Sequence, residues 1–558
     1  MIGVLANSGD ENIVREFFEL FKTPWELYRE GCEYDVILCA RDEKPLGTTK
    51  LFVVYGARLT VFDREHKIPI VPGKPGGVCS YQNRRLPLYG PTATFPNNCL
   101  HWPREDAPQE SIAFLSESGG TPAIRIGYDL FSETRLLLTV GQPLQHASNP
   151  TLELHIDLLR QLIVRAGIPL VEIPPVPAGH NLIACLTHDL DHPVLRNHWL
   201  DHTMLGLVYR ATIGTVKDCF RGRKPVAHLW RNGVAMAKLP FIYLGWAKDP
   251  WREFTRYLQI ESGLGATYFV ITRKGESGRE AQGIAATRRA AGYAATDIKG
   301  ELDQIHARGA EIALHGIDAW IDPVSGEAEH KTLVEVAGAG AVSRGVRMHW
   351  LFFDSDSPMR LEQAGFTYDS SVGYNETVGF RAGTAQVYRP LGATRLSELP
   401  LLIMDSALFY PDFMNLDEAE ARQATDKILD DVQKHGGVAT INWHDRSLFP
   451  ERCWDGFYEN QIATLKKRNA WFPSAAQAVA WFQKRRSASF GGIHHDKGQV
   501  RLSVSADADS QTPALRIRVH HPESGGGTTA MGRDSAAACT EVSFSGHCET
   551  SVALPACV

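Results

Sequence analysis

The chain has 558 residues, a net charge of −6 and 44% apolar residues. That is long enough for two to four domains with cores of their own, and too acidic to make nucleic acid its main partner. Ten cysteines are scattered without a C-x-x-C pair, which points to reduced, mostly buried thiols rather than a disulfide framework or a zinc ribbon.

The N-terminus, "MIGVLANSGDENIVREFFELF", lacks a basic leader and carries Asp10 and Glu11. No secretory signal is recognised, no apolar run is long enough to span a bilayer, and a cytoplasmic location is expected. "IGVLA" and "YDVILCA" read as strands around a helix, so residues 1–178 are expected to form an α/β accessory domain. Within it, 72–98 is rich in Gly, Pro, Asn and Arg and reads as loops. Leu152, Ile156, Leu159, Leu162, Ile163 and Ala166 fall at helical spacing, and Gly167 and Pro169 stop that helix. "PPVPAGHN", 174–181, reads as a linker.

A second domain is expected over 179–488. Strand "LIACLTHD" is followed by a Trp- and Arg-rich helical insertion at about 194–262. "GATYFVI" (265–271), "AEIALHG" (310–316), "GVRMHWLFF" (345–353), "ELPLLIMD" (398–405, weakened by Pro400) and "VATINWHD" (438–445) read as further strands. Helices are expected at 297–309, 417–435, 456–469 and 474–486. Such alternation predicts a parallel sheet or barrel. From 489 onward "QVRLSVSAD" and "ALRIRVHHP" alternate in the period of strands and predict a small C-terminal β-domain with a poorly ordered tail from Gly525.

Ionisable residues recur at the predicted C-terminal strand ends: Asp189 and Asp191, His315, Arg347 and His349, then His444. In parallel α/β folds that edge binds ligands. Singly, each has a plain structural alternative, such as a helix N-cap for Asp191. Together, carboxylate and imidazole suit a divalent ion of the Zn, Mn or Co type. In "DLD" the two carboxylates project to one side of an extended chain, with Leu190 on the other. Like charges so close call for a cation, either a metal or an arginine such as Arg347 or Arg381.

"TYFVI", "ELDQIHARGAEIALHG", "VRMHW", "EQAGFTYDSSVGYNETVGFRAG" and "TINWHDRS" occur in the order and approximate spacing of the polysaccharide deacetylase superfamily, which the chain resembles over about 180–485. "LTHDLDHP" stands at that family's T-F-D-D-G motif and is closest to its T-H-D-V-D branch. The resemblance implies an α/β fold with a distorted (β/α) barrel of about seven strands. It also implies metal-dependent removal of an acetyl group, mainly N-acetyl, from a polysaccharide or glycan substrate. The ion would be Zn first, with Mn, Co or Ni as alternatives. By the same resemblance Asp189 is the general base, Asp191 and His315 are metal ligands, Arg347 orients the catalytic aspartate, and His444 is the general acid. Arg381 is expected at the pocket rim, paired with a carboxylate or the substrate.

One position departs from the family. Its second metal histidine would fall at Ala319, which binds nothing. His349 is the expected replacement, with Asp318, His188 and His192 as alternatives. Two rival readings remain: a sugar-binding protein on a degenerate barrel, and a glycosidase pairing Asp189 with Asp354 or Asp405. Trp320, Trp350, Tyr374, Phe380 and Trp443 serve either a glycan groove or the core.

Overall fold

The structure is a computed structural model and describes residues 1–43, 48–81, 84–96, 102–116, 121–252, 254–280, 283–496, 498–522 and 538–554. Two compact units emerge: His180–Arg381 with Ala385–Val479, and Met1–Gly179 with Ala382–Thr384 and Ala480–Val558.

The first of these is built on β1 (Leu182–Leu190), β2 (Ala266–Val270), β3 (Glu311–Gly316), β4 (Val342–Met348), β5 (Tyr368–Asp369), β6 (Ser397–Glu398), β7 (Ile403–Met404), β8 (Val438–Asn442) and β9 (Ala470–Trp471). Eight run in the order β6-β5-β4-β3-β2-β1-β8-β7, and β9 pairs with β1. Every pairing is parallel. Among the described residues no ladder joins β6 to β7, so the sheet is an open half-barrel of eight strands, consistent with a (β/α) barrel. All nine residues of β1 are buried, as expected for a parallel strand covered on both faces.

The strand expected over 398–405 is instead two short ones on opposite edges of the sheet. Pro400, which has no N–H to give a ladder, lies in the break. β4 also stops earlier than expected, at Met348. Trp350 and Leu351 take left-handed φ values of 62° and 55°, which ends the extended run and turns the chain at His349. The Arg289 guanidinium donates to the His349 carbonyl (3.0 Å) and the Asn375 amide to that of Trp350 (3.1 Å). These bonds help hold a conformation unfavourable for a bulky residue. The insertion after β1 is helical, and its Leu195, Leu207, Leu239, Ile242 and Trp251 form a small core together with Phe449 from beyond β8.

The other unit contains the expected N-terminal α/β layer, with a mostly parallel six-stranded sheet. The loop reading of 72–98 is corrected. Gly77–Tyr81, Arg84–Leu88 and Ala93–Pro96 are strands of a second six-stranded sheet, and the remaining expectations for 82–83 and 97–98 lie outside the described residues. Cys79 and Tyr81 are buried in alternation, while Leu86, Pro87 and Leu88 are buried together, so the period-2 signal is short and masked by the glycines and prolines around it. The final strands do not stand apart as a third unit. Leu515–His520 pairs with Leu170–Glu172. The tail is also more regular than expected, since Cys539–Phe544 and His547–Ala553 are strands; residues 523–537 lie outside the described residues. The eight described cysteines form no disulfide, and Cys39, Cys79, Cys185 and Cys453 are buried.

Candidate functional site

β1 reaches Leu190, which is fully buried in the core. Asp189 and Asp191 flank it and project to the other side, as period-2 geometry requires. β3 and β4 pair with His315 opposite Arg347, and β8 is followed by His444. Parallel strands therefore deliver their C-terminal side chains to one edge.

Three atoms converge there. His315 Nε2 lies 3.1 Å from His349 Nδ1 and 3.3 Å from Asp191 Oδ1, and His349 Nδ1 lies 3.3 Å from the same oxygen. His315 Nδ1 is 2.9 Å from the Arg347 carbonyl. A carbonyl only accepts, so Nδ1 carries the proton and Nε2 presents a lone pair. Asp191 Oδ1 is buried and accepts no hydrogen bond. A lone pair and an orphaned carboxylate oxygen facing each other in a buried site repel unless a cation lies between them. Spacings near 3.3 Å are also those of ligands around a small divalent ion with bonds of about 2.1 Å. The donor set fits such an ion. Burial alone would raise the Asp191 carboxyl, but His349, His315 and His444 hold it well below the usual range.

Asp189 stands beside this triad, its Oδ2 3.9 Å from His315 Nε2. Arg347 donates to its Oδ1 (2.9 Å) and Asn442 to its Oδ2 (2.8 Å). Arg347 is itself fixed: it donates to Thr187 Oγ1 (2.8 Å), the Ser370 carbonyl (3.0 Å) and Ser370 Oγ (2.9 Å), and it lies 4.4 Å over the Phe269 ring. Burial opposes ionisation of Asp189, and Arg347 overcomes it, so the carboxyl sits below its ordinary value.

His444 approaches from the opposite neighbour, with Nε2 3.6 Å from Asp191 Oδ2. Its Nδ1 is 2.5 Å from Asp405 Oδ1, and its backbone N–H donates to Asp405 Oδ2 (2.8 Å). Ser447 Oγ also donates to that carboxylate. Burial pushes the imidazole down, but Asp405 outweighs it and raises it to about 10. Nδ1 and the backbone N–H of His444 thus both engage Asp405, while Nε2 faces the site.

Other candidates are placed elsewhere. Both nitrogens of His188 are engaged, Nδ1 with the Trp443 carbonyl and Nε2 with Glu261 Oε1, each at 2.8 Å. Glu261 also accepts from Tyr458 and Tyr268, so His188 is part of a buried polar network behind the strand. His192 Nδ1 lies 3.3 Å from His198 Nε2, and His198 Nδ1 lies 2.7 Å from Asp201. Asp318 accepts from the Arg279 backbone. Arg381 donates to the Gly373 carbonyl (2.8 Å) and lies 4.5 Å over Phe353. Among the described residues it makes no ion pair, so its rim role is not visible in these contacts. Asp354 caps Ser357 and pairs with Arg360, and Asp405 is committed to His444. Neither is a free acid for a glycosidase. Trp320, Phe380 and Trp443 are core residues.

Sequence reasoning missed Asn442, Ser370 and the role of Asp405 in holding His444. Asn442 had a signal, since it stands two residues before His444 in "INWHD". Asp405 had none, because its position depends on where the chain breaks at Pro400.

No protein-family model and no curated protein matches the chain. Solved structures similar to it include one described as a polysaccharide deacetylase from Mycobacterium smegmatis, at 19% identity and a TM-score of 0.34, covering 56% of this chain and 95% of that one. A second is described as a polysaccharide deacetylase from Pseudomonas aeruginosa PAO1, at 14% identity and a TM-score of 0.34, with 57% and 96% covered. The Puue allantoinase is similar at 14% identity and a TM-score of 0.33, with 55% and 92% covered.

Proposed function

We propose that the chain is a metal-dependent hydrolase of the polysaccharide deacetylase superfamily. It removes an acetyl group, mainly N-acetyl, from a polysaccharide or glycan, acting on carbon–nitrogen but not peptide bonds. The observation that carries this reading is the convergence of His315, His349 and Asp191 between an anchored carboxylate and a carboxylate-backed imidazole. Asp191, His315 and His349 would hold the ion, with Zn favoured by two imidazoles and one carboxylate. When bound, such an ion acidifies water and polarises a carbonyl.

The remaining chemistry belongs to this chain. Asp189, kept ionised by Arg347 and oriented by Asn442, accepts the proton of the attacking water. His444, kept protonated by Asp405, delivers a proton to the departing amine nitrogen. The two groups approach the triad from different strands, as a base and an acid on opposite sides of one carbonyl require. Arg347 cannot turn away, since its guanidinium is held by Ser370 and Thr187 as well as by Asp189.

The test is acetate release from N-acetylated glycan oligomers by the zinc-loaded full chain. Asp189→Asn and His444→Ala should each lower turnover by about 10²-fold or more while metal content stays the same. Full turnover in either variant contradicts the roles assigned, and shortened oligomers without acetate would support a glycosidase instead.

A further inference from the structure

Among the described residues, twelve large apolar side chains are exposed between Trp199 and Trp246, against eight in all the rest. Phe220 is 89% exposed, Trp230 78% and Trp246 75%. Soluble monomers scatter such residues singly rather than gathering them. Here they belong to the helical insertion, whose helices His202–Tyr209, Thr215–Phe220 and Ala227–Tyr243 bury only a few positions each: Thr203 and Leu207, then Thr215, then Asn232, Leu239 and Ile242. An open apolar groove of about 770 Å³ runs through the same segment, lined by Trp230, Met236, Leu239, Ile242, Trp246 and Trp251.

Charge says what fits. Residues 199–248 contain eight Lys and Arg against two Asp and Glu, in a chain whose net charge is −6. Arg210, Lys224 and Arg231 are spent on Glu451, Asp218 and Asp455. Lys217, Arg221, Arg223, Lys238 and Lys248 are exposed and form no ion pair among the described residues. The core of a protein–protein interface is poor in lysine. Tryptophan interleaved with lysine and arginine is instead the composition of a helix lying at the bilayer–water boundary. None of the described helices is long and apolar enough to cross a membrane, so the attachment is to one face.

We infer that the insertion is a peripheral membrane anchor that seats on anionic lipid. The aromatic side chains enter the headgroup region, and the unpaired cations meet lipid phosphates. This stands on exposure and charge alone and does not depend on the reaction proposed above.

The experiment is co-sedimentation of the full chain with vesicles of phosphatidylcholine, with and without about one third phosphatidylglycerol. Binding is expected to the anionic vesicles, weakly or not at all to neutral ones, and to fall as salt shortens the reach of surface charge. Each cation near the surface contributes about fivefold, so Lys217→Gln with Lys238→Gln should weaken partitioning by about 25-fold. Phe220→Ser and Trp230→Ser should each weaken it by about tenfold or more. These side chains are exposed, so the variants keep the fold, which circular dichroism checks. No binding to anionic vesicles at low salt overturns the proposal, as does binding unaffected by all four substitutions. A dimer that Trp230→Ser dissolves, without vesicle binding, would give the face to a second copy of the chain and likewise overturn it.

Discussion

Replacing His349 by Ala removes one of three converging donor atoms and leaves Asp191 Oδ1 with His315 Nε2, 3.3 Å apart. The backbone there is kept in place by Arg289 and Asn375, which bond to the carbonyls of 349 and 350 rather than to the imidazole. The variant therefore tests the ligand and not the turn. Changes one shell further out already cost 10–100-fold in metal affinity, so losing a donor should cost more than about 100-fold. At a zinc concentration of about 100 times the wild-type dissociation constant, binding stabilises the wild type by about 2.7 kcal/mol. A 100-fold weaker variant at the same zinc gains only about 0.4 kcal/mol. Chemical denaturation of metal-stripped protein, with and without buffered zinc, reads both numbers, and elemental analysis after dialysis gives the stoichiometry. Equal zinc stabilisation in the two proteins would refute the assignment of His349. If neither is stabilised, the fit argued for the triad is itself wrong.

Ala319→His restores the residue type the family has at that position, yet it should destabilise the chain. Ala319 is fully buried, and a Cβ on Gly326 would already lie 3.0 Å from its own. Overpacking there should cost about 1–3 kcal/mol in urea unfolding without raising zinc affinity; a stable variant with tighter zinc binding would show that the position faces the site. In the other unit, Glu172 is buried against Arg160 (3.0 Å), His520 (3.0 Å) and Arg518 (3.3 Å). Burial alone would raise its carboxyl, but these partners hold it well below the ordinary value. Its contribution is complete above the unfolded-state value of about 4.3 and is lost as pH falls through the lower folded value. Glu172→Gln should therefore cost about 3 kcal/mol at neutral pH, a deficit that shrinks in acid; the same deficit at both ends would remove the linkage.

The site was legible in the sequence where a regular element did the positioning. Asp189 and Asp191 follow from a two-residue period carried one residue past the end of β1, and Arg347 from its place on β4, whereas His349 lies just beyond β4, at the turn. His315 and His444 follow from strand ends sharing one edge of a parallel sheet. What escaped depends on interruptions to that regularity. Asp405 reaches His444 because the chain is divided at Pro400, and the division puts β6 and β7 on different edges. The antiparallel sheet of the other unit hides its alternation among turn residues. Exposure of the insertion was illegible for a different reason, since a Trp-rich helix reads the same whether its aromatics are covered or bare. Ala319 and His349 join these two kinds of information. At 319 the chain packs against Gly326, where even an added Cβ would lie 3.0 Å from the Ala319 methyl, so that side has no room for an imidazole. The left-handed turn at Trp350 and Leu351 instead brings His349 to His315 Nε2 from the neighbouring strand. A missing ligand at one position is thus matched by a strained turn at another. The motif taken alone points to a lost metal site, while the geometry keeps three donors within 3.3 Å of one another.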